Sequence, residues 1–251
     1  MIRGIYTAAA GLATAQLRLG VVSNNIANAQ TPGYKQDTLP TDVGKAIDLQ
    51  QFATDPNGNP IGTVQLGPQV GLSSLDLSTG PLQETSNPLD LAIGGSGFFA
   101  TQASDGTTRY TRDGGFHADV DGTLRARDGS SVLDTSGQPI VLPPNSDISV
   151  AADGSVLADG NQVAQLQLVD FPQGTQLNKV GNGMFTPPAG VAPTATNGTQ
   201  LYQGYLEGSN VDMTESMVQT MQLVRAYEAN QKLLQMQDET LKSTVNEVGK
   251  V

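Results

Sequence analysis

The side chains that most often catalyse reactions or bind metals are scarce in this chain, which has one histidine and no cysteine. The lone histidine, His117, cannot complete a metal site, because such sites need several ligands. Gly94-Gly-Ser-Gly97 lacks the glycine spacing of a nucleophile elbow or of a dinucleotide loop. Asp119-Val-Asp-Gly122 is too short for a calcium loop and is typical of a hairpin turn. We therefore expect no enzyme activity, no cofactor and no metal.

The charge of the chain is acidic and unevenly distributed, with a net value of −11. Residues 1–36 contain three bases and no acid, whereas residues 37–212 contain 19 acids and 6 bases. An acidic surface repels the phosphates of nucleic acids, which bind to basic faces. The distribution of charge therefore argues against nucleic acid as a partner.

The N-terminus is the only part of the sequence that resembles a targeting segment. No apolar run approaches the about 20 residues that a membrane span requires. The stretch from Arg3 to Ala15 is rich in alanine, glycine and threonine rather than leucine. It also continues as the same helical pattern past any plausible cleavage point. We expect neither membrane insertion nor a cleaved signal peptide.

The longest helical pattern is C-terminal, where residues 209–248 contain neither glycine nor proline. Asp212 followed by Glu215 is typical of an N-cap with a partner three residues on. A 4,3 spacing of mostly apolar residues predicts a narrow seam for a partner helix, with an ordinary amphipathic surface helix as the alternative. The candidate interface residues on this helix are Met217, Val224, Tyr227, Leu234, Leu241 and Val245.

A second helical pattern covers residues 1–30 and ends at Pro32-Gly33. Gly4 and Gly11 lie one heptad apart, which either permits close approach of another helix or simply weakens this one. The candidate interface residues on this helix are Ile2, Ile5, Ala9, Leu12, Leu19 and Ile26, which follow a 3,4 spacing.

The middle of the chain contains strand and turn signals. Residues 31–80 are interrupted by prolines and glycines and predict an extended, partly ordered connection; a short helix near residues 42–52 and a turn at residues 55–60 are local alternatives. Asp-Gly pairs, which favour hairpin turns, begin at residues 105, 113, 121, 128, 153 and 159. Residues 81–207 are therefore predicted to form a mainly antiparallel β domain.

The predicted fold class is α+β, with an N-terminal helix (1–30) and a C-terminal helix (208–251) paired as a coiled-coil-like stem. The β domain is inserted between them. A helix pair formed by the two ends of a chain suits a polymerising subunit, whose terminal helices pack with those of neighbours. As a hypothesis, these helices order only on assembly, at an entropic cost.

Three stretches resemble the bacterial flagellar rod and hook family. They are Ser23-Asn-Asn-Ile-Ala-Asn-Ala-Gln-Thr-Pro-Gly-Tyr-Lys35, then Asn87-Pro-Leu-Asp-Leu-Ala-Ile-Gly-Gly-Ser-Gly-Phe-Phe99 with Tyr110-Thr-Arg-Asp-Gly-Gly-Phe116, and finally Leu206-Glu-Gly-Ser-Asn-Val-Asp212 with Arg225-Ala-Tyr-Glu-Ala-Asn230. They occur in the order that the family shows and extend over most of the chain.

The resemblance implies a structural subunit of the basal-body rod, which crosses the periplasm and transmits torque from motor to hook. It implies export by the flagellar secretion apparatus without a cleaved signal, and partners that are copies of the chain and other rod and hook subunits. The length and the Ile5-Tyr6-Thr7 start are most similar to the proximal-rod member adjoining the distal rod. A distal-rod or hook-family protein is the alternative within the family.

Two functions from other classes remain as alternatives. A secreted β-rich binding module or adhesin would predict exposed aromatic clusters, yet the chain has no tryptophan. A peptidoglycan-cleaving enzyme would need an additional domain, for which the chain has no spare length.

The residues of the first motif also have a local physical interpretation. The short amides of Asn24, Asn25 and Asn28 lie near the predicted helix end, where they can bond free carbonyls or contact a neighbouring subunit. Gly33 is predicted to occupy a backbone position with positive φ. In the second motif, Phe98 and Phe99 alternate faces of a strand, so either both are core or one is exposed at an interface.

Overall fold

In a computed structural model, residues 2–43, 46–51, 59–65, 68–172, 174–196 and 198–248 are described. The chain begins with helix α1, Ile2–Ala27, and ends with helix α2, Met213–Val248. The strands between them are β1 (Asp37–Thr38), β2 (Thr41–Val43), β3 (Ala46–Gln51), β4 (Asn59–Gln65), β5 (Pro68–Val70), β6 (Ser74–Leu75), β7 (Leu82–Glu84), β8 (Leu91–Gly94), β9 (Phe98–Gln102), β10 (Thr108–Thr111), β11 (His117–Ala118), β12 (Leu124–Arg125), β13 (Ser131–Val132), β14 (Ile148–Val150), β15 (Ser155–Ala158), β16 (Asn161–Gln165), β17 (Leu168–Asp170), β18 (Asn178–Gly181), β19 (Met184–Thr186), β20 (Thr194–Ala195), β21 (Gln200–Gln203) and β22 (Tyr205–Glu207).

These elements divide into two compact units. The first contains residues 1–26, 37–74 and 212–251, and the second contains residues 27–36 and 75–211. In the first unit the two terminal helices pack together, and the second unit is an inserted antiparallel β domain. The predicted α+β fold class is therefore confirmed.

The start of α2 follows the local chemistry of its sequence. The Asp212 carboxylate accepts a hydrogen bond from the Glu215 amide at 3.0 Å, and the Asp212 carbonyl accepts one from the Ser216 amide at 3.0 Å. These bonds satisfy amides that have no partner inside the helix, so Asp212 is the predicted N-cap. The Glu215 carboxylate instead accepts from Gln219 at 3.2 Å, so it turns along the helix.

Residues 37–74 contribute antiparallel hairpin pairs to the first unit. β2 pairs with β5 and β3 pairs with β4, with Ile47 opposite Val64. The helix considered near residues 42–52 is therefore wrong at residues 42–43 and 46–51, because strand partners within the same unit satisfy the backbone there. Residues 44 and 45 lie outside the described residues. Residue 52 and residues 55–58 of the turn expected at 55–60 lie outside the described residues.

The β domain is organised around a twisted antiparallel sheet with the strand order β11-β12-β13-β9-β10-β19-β18. Successive side chains of β9 point to opposite faces, so Phe98 and Phe99 enter different hydrophobic clusters. Phe98 is 2% exposed and Phe99 is 0% exposed. Both are therefore core residues, and neither is available for an interface.

Five of the Asp-Gly pairs lie in the hairpin turns that they predict, namely β9–β10, β11–β12, β12–β13, β14–β15 and β15–β16. Their glycines have φ between 78° and 89°. The pair at Asp113 is different, because Gly114 follows β10 in irregular backbone and lies close to the Leu91 carbonyl. The hairpin predicted there is wrong; glycine is needed for close backbone approach instead.

Candidate assembly site

The two terminal helices are antiparallel within the first unit. Gly4 lies against the side chain of Gln237, and Gly11 lies against Asn230, where an added Cβ would be 3.0 Å from the amide nitrogen. Moving seven residues forward in α1, from Gly4 to Gly11, thus corresponds to moving seven residues backward in α2, from Gln237 to Asn230. Without side chains at the glycines, the backbone of α1 approaches these two amides closely.

The face of α2 that is covered has a coiled-coil period. Its buried or half-buried positions from Ser216 onwards, apart from Gln219 beside Thr220, follow a strict 4,3 spacing. A spacing of 3.5 residues keeps one seam facing a partner helix along its whole length. We call this face the α2 seam: Ser216, Thr220, Leu223, Tyr227, Asn230, Leu234, Gln237 and Leu241.

The contacting face of α1 consists mainly of small residues. Ala8, Ala15 and Val22 recur every seven residues and are 5%, 6% and 8% exposed. They alternate with Gly4 and Gly11 in the same 4,3 spacing. Small residues at these positions let the large seam residues of α2 pack close to the α1 backbone.

The predicted residues of α1 lie beside this face. Ile5, Leu12, Leu19 and Ile26 are half-buried, and Ala9 is exposed. The side chain of Ile2 lies outside the described residues. Sequence periodicity identified the correct repeat but placed it one residue away from the residues that are most buried.

The predicted residues of α2 fall into two groups. Tyr227, Leu234 and Leu241 are half-buried members of the α2 seam. Met217, Val224 and Val245 are 50%, 39% and 68% exposed, so α1 does not cover them.

An exposed apolar stripe runs along the first half of α2, next to the seam. We call Met213, Met217, Met221 and Val224 the α2 stripe; their exposed fractions are 37%, 50%, 55% and 39%. They follow one another at intervals of three or four residues, so they lie on one side of the helix. Exposed contiguous apolar side chains of this kind mark interaction surfaces.

Asparagines of the first motif have different roles. The amide of Asn25, which is 6% exposed, donates to the Asp37 carbonyl at 2.8 Å and accepts from the Asp37 amide at 3.0 Å. These two bonds of Asn25 are therefore to the backbone of β1, and not to the free carbonyls at the end of α1 that the sequence suggests. The Asn28 carbonyl accepts from the Thr31 amide at 3.0 Å, and Asn24 is exposed.

In the β domain, charged residues from all three motifs meet in a buried cluster. Lys35 Nζ donates to Glu207 Oε1 at 2.6 Å, and Arg112 Nη1 donates to Glu207 Oε2 at 2.9 Å. The side chains of Lys35 and Glu207 are 0% exposed and that of Arg112 is 2% exposed. Charges so deeply buried need partners, because their hydration is lost. We call Lys35, Arg112 and Glu207 the ionic cluster.

Backbone groups complete the ionic cluster. Glu207 Oε1 also accepts from the Gly80 amide at 2.9 Å, and Lys35 Nζ also donates to the Ser78 carbonyl at 2.6 Å. Arg112 Nη2 donates to the Gly95 carbonyl at 2.7 Å. Arg112 Nε is buried without a hydrogen-bond partner.

Burial dominates the electrostatics of the cluster. It lowers the pKa of Lys35 and the pKa of Arg112 below their usual values, and the attraction of Glu207 opposes this effect at both cations. Desolvation disfavours a cation, whereas a neighbouring carboxylate favours it. The opposed effects of burial and of the Glu207 carboxylate are those expected of a buried, hydrogen-bonded ion-pair network.

Gly33 approaches the cluster through its backbone. Its φ is 66°, as predicted for this position, and its amide donates to the Glu207 carbonyl at 2.7 Å. A Cβ at Gly33 would overlap the backbone of Arg112 and Asp113. Glycine is therefore required both by the backbone angle and by the space.

We expect Gly33→Ala to lower the free energy of unfolding by about 2–4 kcal/mol, from the left-handed backbone and the overlap together. Gly129→Ala is the matched control, because Gly129 has φ of 88° but no atom near its missing Cβ. The control should lose only about 1–2 kcal/mol. Urea denaturation of both proteins measures the difference, and equal losses would contradict the close packing at Gly33.

Asn210 is hydrogen-bonded to two of the segments that contribute to the ionic cluster. Its side-chain amide donates to the Asp76 carbonyl at 2.9 Å, and its side-chain oxygen accepts from the Gln36 amide at 2.8 Å. Lys179 Nζ donates to the Lys35 carbonyl at 2.7 Å. The segment that follows Pro32 is thus hydrogen-bonded, through Gln36 and Asn210, to the segment that precedes the N-cap of α2.

A neighbouring carboxyl, Asp113, titrates abnormally. Burial raises the pKa of Asp113 above its usual value, although Oδ1 accepts from the Gly115 amide at 2.9 Å. As pH rises above the ordinary aspartate pKa of 3.8, the unfolded chain ionises at this residue first, so the unfolded state binds fewer protons and stability falls.

We expect Asp113→Asn to gain stability relative to the wild type as the pH is raised from about 4 to about 7. Asparagine keeps an oxygen for Gly115 and carries no charge. Urea denaturation at several pH values measures the difference, in which the contributions of the other carboxyls cancel. A difference that does not change with pH would contradict the elevated pKa.

His117 is exposed on β11. Among the residues that the structure describes, no three His, Asp or Glu side chains gather in a way that could hold a metal ion.

Helix α1 meets the length and composition of a membrane span between Gly4 and Ala27. Counting uninterrupted apolar runs does not detect this segment, because many weakly apolar alanines and few charges give the same average hydropathy as a shorter strongly apolar run. Core helices of soluble proteins and N-terminal signal sequences meet the same criteria. In this structure α1 packs against α2.

All three members of the ionic cluster lie inside the sequence motifs, but no pattern of spacing pairs them. The available signal was the charge of Lys35 and Glu207, each flanked by neutral residues in its motif. An isolated cation and an isolated anion in motif segments are candidates for pairing, because buried charges need partners.

Comparisons with known proteins match all three regions. Family models match at residues 5–35 (flagella basal body rod protein), 92–158 (flagellar hook protein FlgE/F/G D1 domain) and 202–247 (flagellar basal body rod FlgEFG protein C-terminal). Each member of the ionic cluster lies in a different matched region.

Full-length relatives agree with these matches. The chain is 33% identical to the flagellar basal-body rod protein FlgG of Bacillus subtilis, over 98% of this chain and 99% of the relative. It is 36% identical to FlgG of Caulobacter vibrioides over 97% and 98%, and 31% identical to FlgF of the same organism over the whole of both chains. The chain therefore belongs to the flagellar basal-body rod protein family, within the wider group of rod and hook proteins.

Proposed function

We propose that this chain is a structural subunit of the flagellar rod, which polymerises through its terminal helices into a shaft that transmits torque from the motor to the hook. The observation that carries the proposal is the exposed α2 stripe, on a helix whose other face is occupied by α1. Membership of the rod family supplies the context. Assembly would bury this apolar surface, which is the main favourable term in most protein association.

The proposed interface combines predicted residues with their observed exposure. On α2 it includes Met217, Val224 and Val245, joined by Met221. On α1 it includes Ala9 and the exposed Tyr6 and Leu17, which are 72% and 58% exposed. The seam residues Tyr227, Leu234 and Leu241 hold the two helices of one subunit together and do not themselves contact the neighbouring subunit.

We further propose that residues 1–30 and 208–251 form the assembling stem, that residues 31–80 connect it, and that residues 81–207 form the outer body. The subunit is not an enzyme, binds no nucleic acid and is not inserted in a membrane. It is exported by the flagellar secretion apparatus without a cleaved signal peptide and assembles in the periplasmic part of the basal body. Its length and N-terminal residues favour the part of the rod that adjoins the distal segment.

Deletion of the gene in its source bacterium tests the proposal. Electron microscopy should show basal bodies with a truncated rod and without hook or filament, and the wild-type gene on a plasmid should restore them. The length of the remaining rod would place the subunit along the shaft. Intact full-length flagella in the deletion strain would contradict the proposed role.

A further inference from the structure

The chain passes between its two units at residues 26–27, 36–37, 74–75 and 211–212. Within the β domain, the segments that adjoin the last three passages are residues 33–36, 76–80 and 207–210. We call these the exit segments. Hydrogen bonds from Lys35, Glu207 and Asn210 join all of them in one network.

The Glu207 carboxylate is the centre of this network. Its two oxygens accept from Lys35 in the first exit segment, from Gly80 in the second and from Arg112, which follows β10. Glu207 itself belongs to the third segment. One side chain thus connects every exit segment with the body of the β domain.

Stability alone does not require a buried ion-pair network at this position. Buried ion pairs can often be replaced by apolar side chains without loss of stability, because the desolvation of the charges offsets their attraction. Apolar contacts, however, have no preferred direction. A carboxylate prefers donors near its plane and at hydrogen-bond distance, and therefore allows fewer arrangements of the segments that it joins.

We propose that Glu207 is a positioning residue for rod assembly, whose buried carboxylate fixes the backbone geometry of the exit segments of the β domain. The inference rests on the proposed function as a rod subunit. A change in the geometry of the ionic cluster should therefore impair rod assembly more than it lowers the stability of the free subunit.

Glu207→Asp separates geometry from charge. Aspartate keeps the negative charge but is shorter by one methylene, so its carboxylate cannot hold both Lys35 Nζ and Arg112 Nη1 at their present distances. The control is a truncation in the hydrophobic core, either Ile140→Val or Val156→Ala, since both residues are 1% exposed and neither belongs to the cluster. The control chosen is the one whose melting temperature matches that of Glu207→Asp.

Each variant is expressed in the deletion strain beside the wild-type gene on the same plasmid. Purified proteins give the melting temperatures, and electron microscopy gives the number of basal bodies per cell that carry a hook. We expect Glu207→Asp to reduce this number at least about tenfold and the core variant to stay within about twofold of the wild type, which corresponds to a selective defect in association. Equal numbers for the two variants would overturn the proposal.

If Glu207→Asp shows no cooperative melting, Lys35→Met replaces it, because it keeps the Arg112–Glu207 pair and the aliphatic stem while removing the tie to the first exit segment. The same comparison with a matched core variant then applies. If the wild-type gene itself does not restore the rod, the proposed function fails, which is distinguishable from failure of a variant alone.

Discussion

Replacing Met221 in the α2 stripe by aspartate is expected to abolish rod assembly while leaving the free subunit folded. Met221 is 55% exposed, so in the free subunit the change costs only the difference in helix propensity, about 0.5 kcal/mol. In an assembled interface the carboxylate would be buried without a partner, which costs about 2 kcal/mol or more. Because each 1.4 kcal/mol is about tenfold in an association constant, and every subunit carries the change, we expect no complete rods.

The measurement is the number of hook-bearing basal bodies in the complemented deletion strain, together with the melting curve of the purified subunit. Gln222→Asp is the matched control, because it adds the same charge at the next residue, outside the stripe. The control should assemble normally. Normal rods in the Met221→Asp strain would mean that the stripe is not an interface.

Leu234→Asp should act differently, because Leu234 belongs to the α2 seam. The terminal helices pack together within the single chain, which differs from the hypothesis that they order only on assembly. The charge of the introduced aspartate would be placed against α1, so the helix pair should open in the free subunit. Far-UV circular dichroism should then show a loss of helix, while the melting transition of the β domain remains. Loss of that transition as well would contradict the independence of the two units.

Glu207→Gln should have the largest effect on stability. Glutamine has the same shape but leaves Lys35 and Arg112 buried without an anion. Removing one partner of a buried ion pair costs about 3–5 kcal/mol. Since whole domains are stable by about 5–15 kcal/mol, the variant should lose a large part of its stability.

Urea denaturation of the purified protein measures this loss. Glu84→Gln on β7 is the control, because Glu84 is exposed and the same change there should stay within about 0.5 kcal/mol of the wild type. A comparable stability for the two variants would mean that the charge of Glu207 is not needed to compensate the buried cations.

The terminal helices, the N-cap and most hairpin turns follow from local sequence, and local sequence predicts them. Asp212 caps α2 because its carboxylate reaches an amide three residues away. Asp-Gly turns depend on backbone angles that glycine adopts without strain. Both depend on interactions within a few residues, which are visible in the order of the amino acids.

The contacting face of the helix pair was only half predictable. The apolar positions of α2 have the right period, but they include Met217 and Val224, which are exposed. The true seam includes Asn230 and Gln237, because the glycines of α1 opposite them leave room for amides. Hydrophobic periodicity cannot detect a seam whose fit depends on the size of residues in a distant helix.

The ionic cluster could not be predicted from spacing at all. Lys35 and Glu207 are separated by 172 positions in sequence. Their contact depends on the completed β domain, and no local rule relates one to the other. Only the need of a buried charge for a counter-charge links them, and burial itself is a property of the fold.

The spacing of the contacts between α1 and α2 determines how the two helices could shift along each other. Its two glycines are seven residues apart, and so are the two amides that face them. If α1 moved by one heptad along α2 in either direction, about 10.5 Å, one glycine would again meet an amide. The glycine–amide contacts alone therefore allow more than one alignment of the two helices, and these alignments are one heptad apart. What selects one position is the end of α1, where Asn25 is bonded to the backbone of Asp37.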